Sequence, residues 1–118
     1  LTHTNDRMEW SSSLAGSSDV TIAVMGISAL IEGEEGAAIS SDANGDRNTM
    51  SLPKNQIEYL RKLRKSAGDK PIVLVIKSGS AIELTEISKY VDAIIYAWYL
   101  GEQGGNAIAD INFGDVNP

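Results

Sequence analysis

An open, mostly parallel, doubly wound α/β sheet with helices on both faces is the fold that this 118-residue sequence predicts, as one domain over residues 1–118. Three observations lead there. Three short runs are apolar and β-branched almost throughout, an amphipathic stretch of helical period separates the first two, and each run is bounded by glycine or charge. Strands covered on both faces lose the alternation of a half-solvated strand, and strands alternating with helices favour a parallel sheet with right-handed crossovers.

Residues 6–15 open the order, with Met8, Trp10 and Leu14 spaced for one side of a short helix that stops at Gly16. Val20–Met25 follows as a strand, read as central in the sheet because no polar residue but Thr21 interrupts it. Pro53–Ala67 places Ile57, Leu60, Leu63 and Ala67 three or four apart, with basic and acidic residues between them. This is an amphipathic helix, started by Ser51 and Pro53 and stopped by Gly68. Pro71–Ile76 and Val91–Ala97 are the other two strands, with a shorter helix over 81–89 between them and a last helix over 106–113. A further strand is expected before residue 1, so the sheet is expected to be incomplete at the N-terminus of this sequence.

The composition narrows function by exclusion. Sixteen acidic against ten basic side chains leave a net charge of -6, which repels a phosphate backbone and argues against nucleic acid. No apolar run approaches the roughly 20 residues that cross a bilayer, so no membrane partner is expected. With no cysteine and one histidine, His3, neither a thiolate or histidine metal site nor a Ser-His-Asp triad has residues to rest on. No cofactor and no metal are expected. The start lacks a basic stretch with an apolar core, so no signal peptide is visible, and the absence of an initiating methionine favours a fragment.

Ligands of open parallel sheets approach the carboxyl ends of the strands. Three connections should share that edge: the long loop after Met25, the Gly79-Ser80 turn, and Trp98–Gly105. The first, Gly26–Leu52, far exceeds the usual strand-to-helix connection of about 2–6 residues, and it carries Glu32, Glu34, Glu35, Asp42 and Asp46 before Arg47. Such a loop is commonly a solvated acidic surface. Glycosidic cleavage needs a carboxyl to protonate the departing oxygen and a second carboxylate across the bond, about 5–5.5 Å away in retaining enzymes, and a carboxyl of this loop could supply the first. Asp42–Asp46 does not continue into the calcium-binding register of about twelve residues. Gly101, Gly104 and Gly105 lack the dinucleotide spacing and a basic neighbour.

Ile31-Glu-Gly-Glu-Glu35, Gly45-Asp-Arg47, Leu52-Pro53 with Gln56, Lys70–Val75, and Ala97–Gly101 through Gly114–Pro118 together resemble the second domain of family 3 glycoside hydrolases. The likeness covers residues 19–118. It implies an α/β sandwich that supplies the acid/base glutamate, a nucleophilic aspartate on an absent TIM-barrel domain, and a retaining, exo-acting parent cleaving β-linked glucosides or xylosides. By the resemblance, counting from the first strand gives the proton donor as Glu32, and counting back from Gly45-Asp-Arg47 gives Glu35. Glu34 ranks behind them and is assigned to substrate binding. Trp98 is the aromatic candidate for stacking on a pyranose ring, although it and Tyr99 equally suit the filling of a sheet edge or an interdomain seam. Asp46 and Arg47 are expected to anchor the loop by a charge-assisted hydrogen bond.

The partners implied are a β-linked oligosaccharide or glucoside and the barrel of the same parent, with the isolated chain inactive. The compartment is open, with a periplasmic or secreted parent in keeping with the resemblance. Two rival classes stand beside this one: a carbohydrate- or protein-binding module without catalysis, and a nucleotide- or flavin-binding doubly wound domain.

Overall fold

The computed structural model describes residues 10–32 and 46–118. Glu34, Glu35 and Asp42 lie outside the described residues. The described elements are β1 (Thr21–Gly26), a one-turn helix α1 (Ala29–Glu32), α2 (Lys54–Ala67), β2 (Ile72–Lys77), β3 (Ala93–Tyr96) and α3 (Gly104–Phe113), with a 3-10 turn at Ile87–Lys89. The three strands form one parallel sheet in the order β1-β2-β3, with Thr21 opposite Ile72 and Val73 opposite Ala93. It is the open parallel α/β architecture that the alternation of runs implies.

The strand order corrects one expectation. Among the described residues β2 is central and β1 lies at the edge, where Ile22 and Val24 remain 44% and 60% exposed. A run of apolar residues marks a strand that pairs well, but it does not say which strand has two neighbours. Among the described strands, only β2 is covered on both faces. Its Ile72, Leu74 and Ile76 alternate into one core with Leu60, Leu63 and Ala67 of α2, while Val75, also fully buried, points to the other face.

The helix α2 forms where the three-and-four spacing requires it, and its buried positions are Leu60, Leu63 and Ala67. Its N-cap is Pro53, with no side-chain cap. Ser51 does not serve there, since its hydroxyl faces Glu83 Oε2 at 3.5 Å. At the other end Arg64 gathers the loose carbonyls, donating to Gly68 O, Lys70 O and Tyr90 O at 2.9, 3.0 and 3.1 Å. Arg64 also pairs with Asp92, which accepts the Ile72 N–H at 2.7 Å and so ties the starts of β2 and β3 to the helix end. The Ile72 N–H first, and then Arg64, hold the Asp92 carboxyl below its ordinary pKa of 3.8.

Two helix expectations change. Over 81–89 only the 3-10 turn forms, because the Glu83 N–H bonds across to Met50 O at 2.8 Å instead of to a carbonyl of its own turn. Ile82 and Ile87 are still buried by that extended path. At the start, residues 10–14 are helical, but Trp10 and Leu14 face solvent and it is Ser12 and Ala15 that are buried. Tyr59 Oη to Ser11 Oγ at 2.9 Å and Lys70 Nζ to Gly16 O at 2.7 Å fasten this segment to the α2 side of the sheet. The last helix begins at Gly104, two residues earlier than its apolar spacing suggested.

Candidate active site

All three strands point their carboxyl ends at one margin. There β1 terminates on Gly26, whose backbone is gripped by the side-chain amide of Gln56: Gly26 N–H donates to Oε1 at 3.0 Å and Nε2 donates to Gly26 O at 2.7 Å. The pair imitates one more rung of strand pairing, and it sets the direction in which the chain leaves the sheet. Gly26 must be glycine here, with φ of 155° and Lys77 O lying 1.7 Å from where a Cβ would stand.

From Ile27 the chain turns once. Ser28 O accepts from the N–H groups of Ile31 and Glu32, both at 2.9 Å, and this single turn returns Glu32 over the strand ends. Its carboxylate then accepts two hydrogen bonds, from Ser80 Oγ to Oε1 at 2.5 Å and from Tyr99 Oη to Oε2 at 3.0 Å. Ser80 is held in turn. Its N–H donates to Ser78 Oγ at 3.2 Å, and its carbonyl accepts from Ser78 Oγ at 2.5 Å and from Tyr96 Oη at 2.6 Å.

Gly79 explains why the groups fit. A Cβ at that position would meet Tyr99 Cε2 at 2.6 Å and Glu32 Oε2 at 3.2 Å, so the bare backbone makes room for both. Tyr99 Oη also faces Ile27 O at 3.0 Å. Burial of the hydroxyl, and next the hydrogen bond and charge of Glu32, raise the phenol above its ordinary pKa of 10.0, against the opposing pull of the Gly79 backbone and Arg47.

Glu32, Gly79, Ser80 and Tyr99 line an open cleft of about 670 Å³, closed on its other side by Asp46, Arg47, Asn48 and Thr49. Arg47 Nε donates to Thr49 O at 3.1 Å, while Nη1 is buried with no hydrogen-bond partner among the described residues. Most of the side chains that line this cleft carry polar groups. A polyhydroxylated ligand suits it better than an apolar one. A second, more apolar cleft of about 760 Å³ lies alongside, lined by Val24, Met25, Ile31, Gln56 and Tyr59, and Tyr99 borders both. Among the described residues no three His, Cys, Asp or Glu side chains gather as a metal site, and no helix is long and apolar enough to cross a membrane.

Of the sequence candidates, Glu32, Asp46 and Arg47 meet in one cleft. Trp98 stands at the same strand end, 52% exposed, with its ring tilted against Tyr96 at 4.7 Å and its backbone at φ of 52°. Glu34 and Glu35 fall outside the described residues. Sequence reasoning located the Gly79-Ser80 turn at this margin, but it gave no role to Ser80, and it treated Tyr99 as packing. The available signal was a hydroxyl residue three positions past the end of each of two strands, Ser80 after Lys77 and Tyr99 after Tyr96.

An open parallel sheet with a polar cleft and a carboxylate at its carboxyl margin defines the class: an open α/β domain whose cleft lies at its strand ends. Comparison with known proteins carries this further. The family described as "Glycosyl hydrolase family 3 C-terminal domain" matches residues 5–118, and the chain belongs to that family. A xylan 1,4-beta-xylosidase of Xylanibacter ruminicola is 48% identical over 94 residues, which is 79% of this chain and 11% of the relative. A periplasmic beta-glucosidase of Salmonella typhimurium is 36% identical over 104 residues, 88% of this chain and 12% of that protein. Among solved structures, a Kluyveromyces marxianus beta-glucosidase in complex with glucose superposes with a TM-score of 0.72 at 29% identity, over 95% of this chain and 12% of its own length. The chain thus spans about an eighth of the proteins it matches.

Proposed function

We propose that this chain is the α/β sandwich portion of a retaining, exo-acting β-glycosidase and that its loop after β1 delivers the acid/base glutamate, with Glu32 and Glu35 as the two carboxyls the sequence singles out. The observation that carries the reading is the placement of Glu32 at the strand-end cleft beside Ser80 and Tyr99, since it roots the acidic loop at the edge where ligands reach such sheets. The names of the relatives support β-linked xylosides or glucosides as substrates, and the 48% identity to a xylosidase puts xylosides first.

The chemistry divides between two polypeptide regions. An aspartate on a TIM-barrel domain attacks the anomeric carbon while the loop carboxyl protonates the departing oxygen, and the same carboxylate next takes a proton from the water that frees the sugar. Trp98 and Glu34 serve the substrate, and Asp46 and Arg47 hold the loop as it returns to Leu52. A periplasmic or secreted parent fits this reading, in line with the Salmonella relative's name.

The test is an exchange. The matching segment of the Xylanibacter xylosidase is replaced by this chain, and nitrophenol release from aryl β-xyloside and β-glucoside is measured beside the chain alone. Release by the chimera with none from the isolated chain is expected. A folded chimera that leaves both substrates intact contradicts the proposal.

A further inference from the structure

We propose that the apolar cleft at the end of β1 receives the apolar part of the leaving group, so that the glycosides this chain favours carry a hydrocarbon aglycone on a sugar seated in the polar cleft. This rests on the reading of the parent as an exo-acting β-glycosidase, and it names the class of leaving group that reading leaves open.

The cleft holds about 760 Å³, within the range of about 300–1,000 Å³ usual for small-molecule sites. Several polar residues line it, but their polar groups are already bonded to the protein. The Gln56 amide is closed on Gly26 through both its oxygen and its nitrogen. The Tyr59 hydroxyl donates to Ser11 Oγ at 2.9 Å, and the Tyr99 hydroxyl faces Ile27 O and Glu32 Oε2, each at 3.0 Å. The surface offered to a ligand is therefore mostly hydrocarbon, with Val24, Met25 and Ile31 beside the two tyrosines. Val24 stands 60% exposed on the edge strand of the described sheet, and covering it gains apolar burial.

The occupant follows from the wall that the two clefts share. Tyr99 borders both of them. On the one-turn helix α1 two consecutive residues divide between them, Ile31 lining the apolar cleft and Glu32 the polar one. A ligand that fills both must be hydroxylated at one end and apolar at the other, with the change falling at Tyr99. A sugar joined to an alkyl or aryl group has that shape. A second sugar does not, because its hydroxyls would leave water for groups that are already bonded, and each hydroxyl left unpaired there opposes binding.

The test is a series of n-alkyl β-xylosides, methyl to hexyl, hydrolysed by the chimera in which this chain replaces the matching segment of the Xylanibacter xylosidase. The departing alcohols have nearly the same acidity, so kcat/KM along the series reports contact with the alkyl tail and not the ease of bond cleavage. A methylene taken fully out of water is worth about 4-fold, and half of that free energy in an open cleft gives about 2-fold, or roughly 30-fold from methyl to hexyl. Val24→Thr, which exchanges a methyl for a hydroxyl at an exposed strand position, and Ile31→Thr should each bring that gain below roughly 10-fold. A kcat/KM that stays flat from methyl to hexyl overturns the inference and leaves the wider reading intact; it is the result if another segment of the parent lies along β1 and covers Val24. A gain that both threonine variants leave unchanged also overturns it, since the tail then rests on the barrel. A folded chimera that cleaves none of the xylosides, methyl included, overturns both.

Discussion

Replacing Gly26 by alanine probes the joint on which the site turns. The added carbon would stand 1.7 Å from Lys77 O and 2.6 Å from Lys77 C, where contacts under 3.0 Å essentially never occur, so the end of β1 must move away from β2. Three hydrogen bonds share that joint: Ile27 N–H to Lys77 O, and the two between Gly26 and Gln56. At about 0.5–1.5 kcal/mol each, with about 1–3 kcal/mol for a side chain forced into this backbone region, the expected loss is about 2.5–7.5 kcal/mol. That is a large part of the roughly 5–15 kcal/mol that holds a domain of this size. Urea unfolding followed by the fluorescence of Trp10 and Trp98 measures it, with Gly105→Ala as the control because nothing lies within 4 Å of that position. Should Gly26→Ala cost less than about 1 kcal/mol, the close approach of β1 to β2 described here would be wrong.

Other perturbations address separate parts of the account. Leu60→Ala empties a fully buried position between α2 and β2 and should cost about 2–5 kcal/mol in the same urea experiment. Glu86 is lowered from 4.5 to about 2, chiefly by the Tyr90 hydroxyl and then by Lys89, and Asp92 is lowered by the Ile72 N–H and Arg64. Their unfolded forms bind protons more readily, so the stability they add is complete above the ordinary carboxyl range and is lost as pH falls from there towards about 2. Denaturation midpoints between pH 2 and 6 should show this fall, and Asp92→Asn with Glu86→Gln should flatten it. Trp98→Gly removes a ring contact worth about 0.5–1.5 kcal/mol but frees a backbone at positive φ worth about 1–2 kcal/mol, so stability should shift by no more than about 1.5 kcal/mol. If Trp98 stacks on the sugar, the same change in the chimera should raise KM for the xyloside.

What the sequence disclosed followed the range of the interactions. The helix α2 was legible because Ile57, Leu60, Leu63 and Ala67 declare a period within one segment, and β2 because no polar residue interrupts it before Lys77. The position of β1 at the edge of the described sheet was hidden, since strand order depends on the whole sheet and not on the composition of Thr21–Gly26. Residues 81–89 misled for a related reason: Ile82, Leu84 and Ile87 have helical spacing, but a distant carbonyl, Met50 O, takes the Glu83 N–H. At the site, the acidic loop and its edge of the sheet could be read directly. The hydrogen bonds of Glu32 could not, because Ser80 and Tyr99 lie 48 and 67 residues away from it and meet it only when three strands lie side by side.

The most direct measurement of the central claim is covalent labelling. The chimera is incubated with a 2-deoxy-2-fluoro-β-xyloside bearing an activated leaving group, which lets the glycosyl-enzyme form and slows its hydrolysis, and the labelled peptide is located by mass spectrometry. The account predicts one fluoroxylosyl group on an aspartate outside these 118 residues, with no label on the chain alone. A fluoroxylosyl group on any carboxylate of this chain would contradict the division of labour on which the account rests.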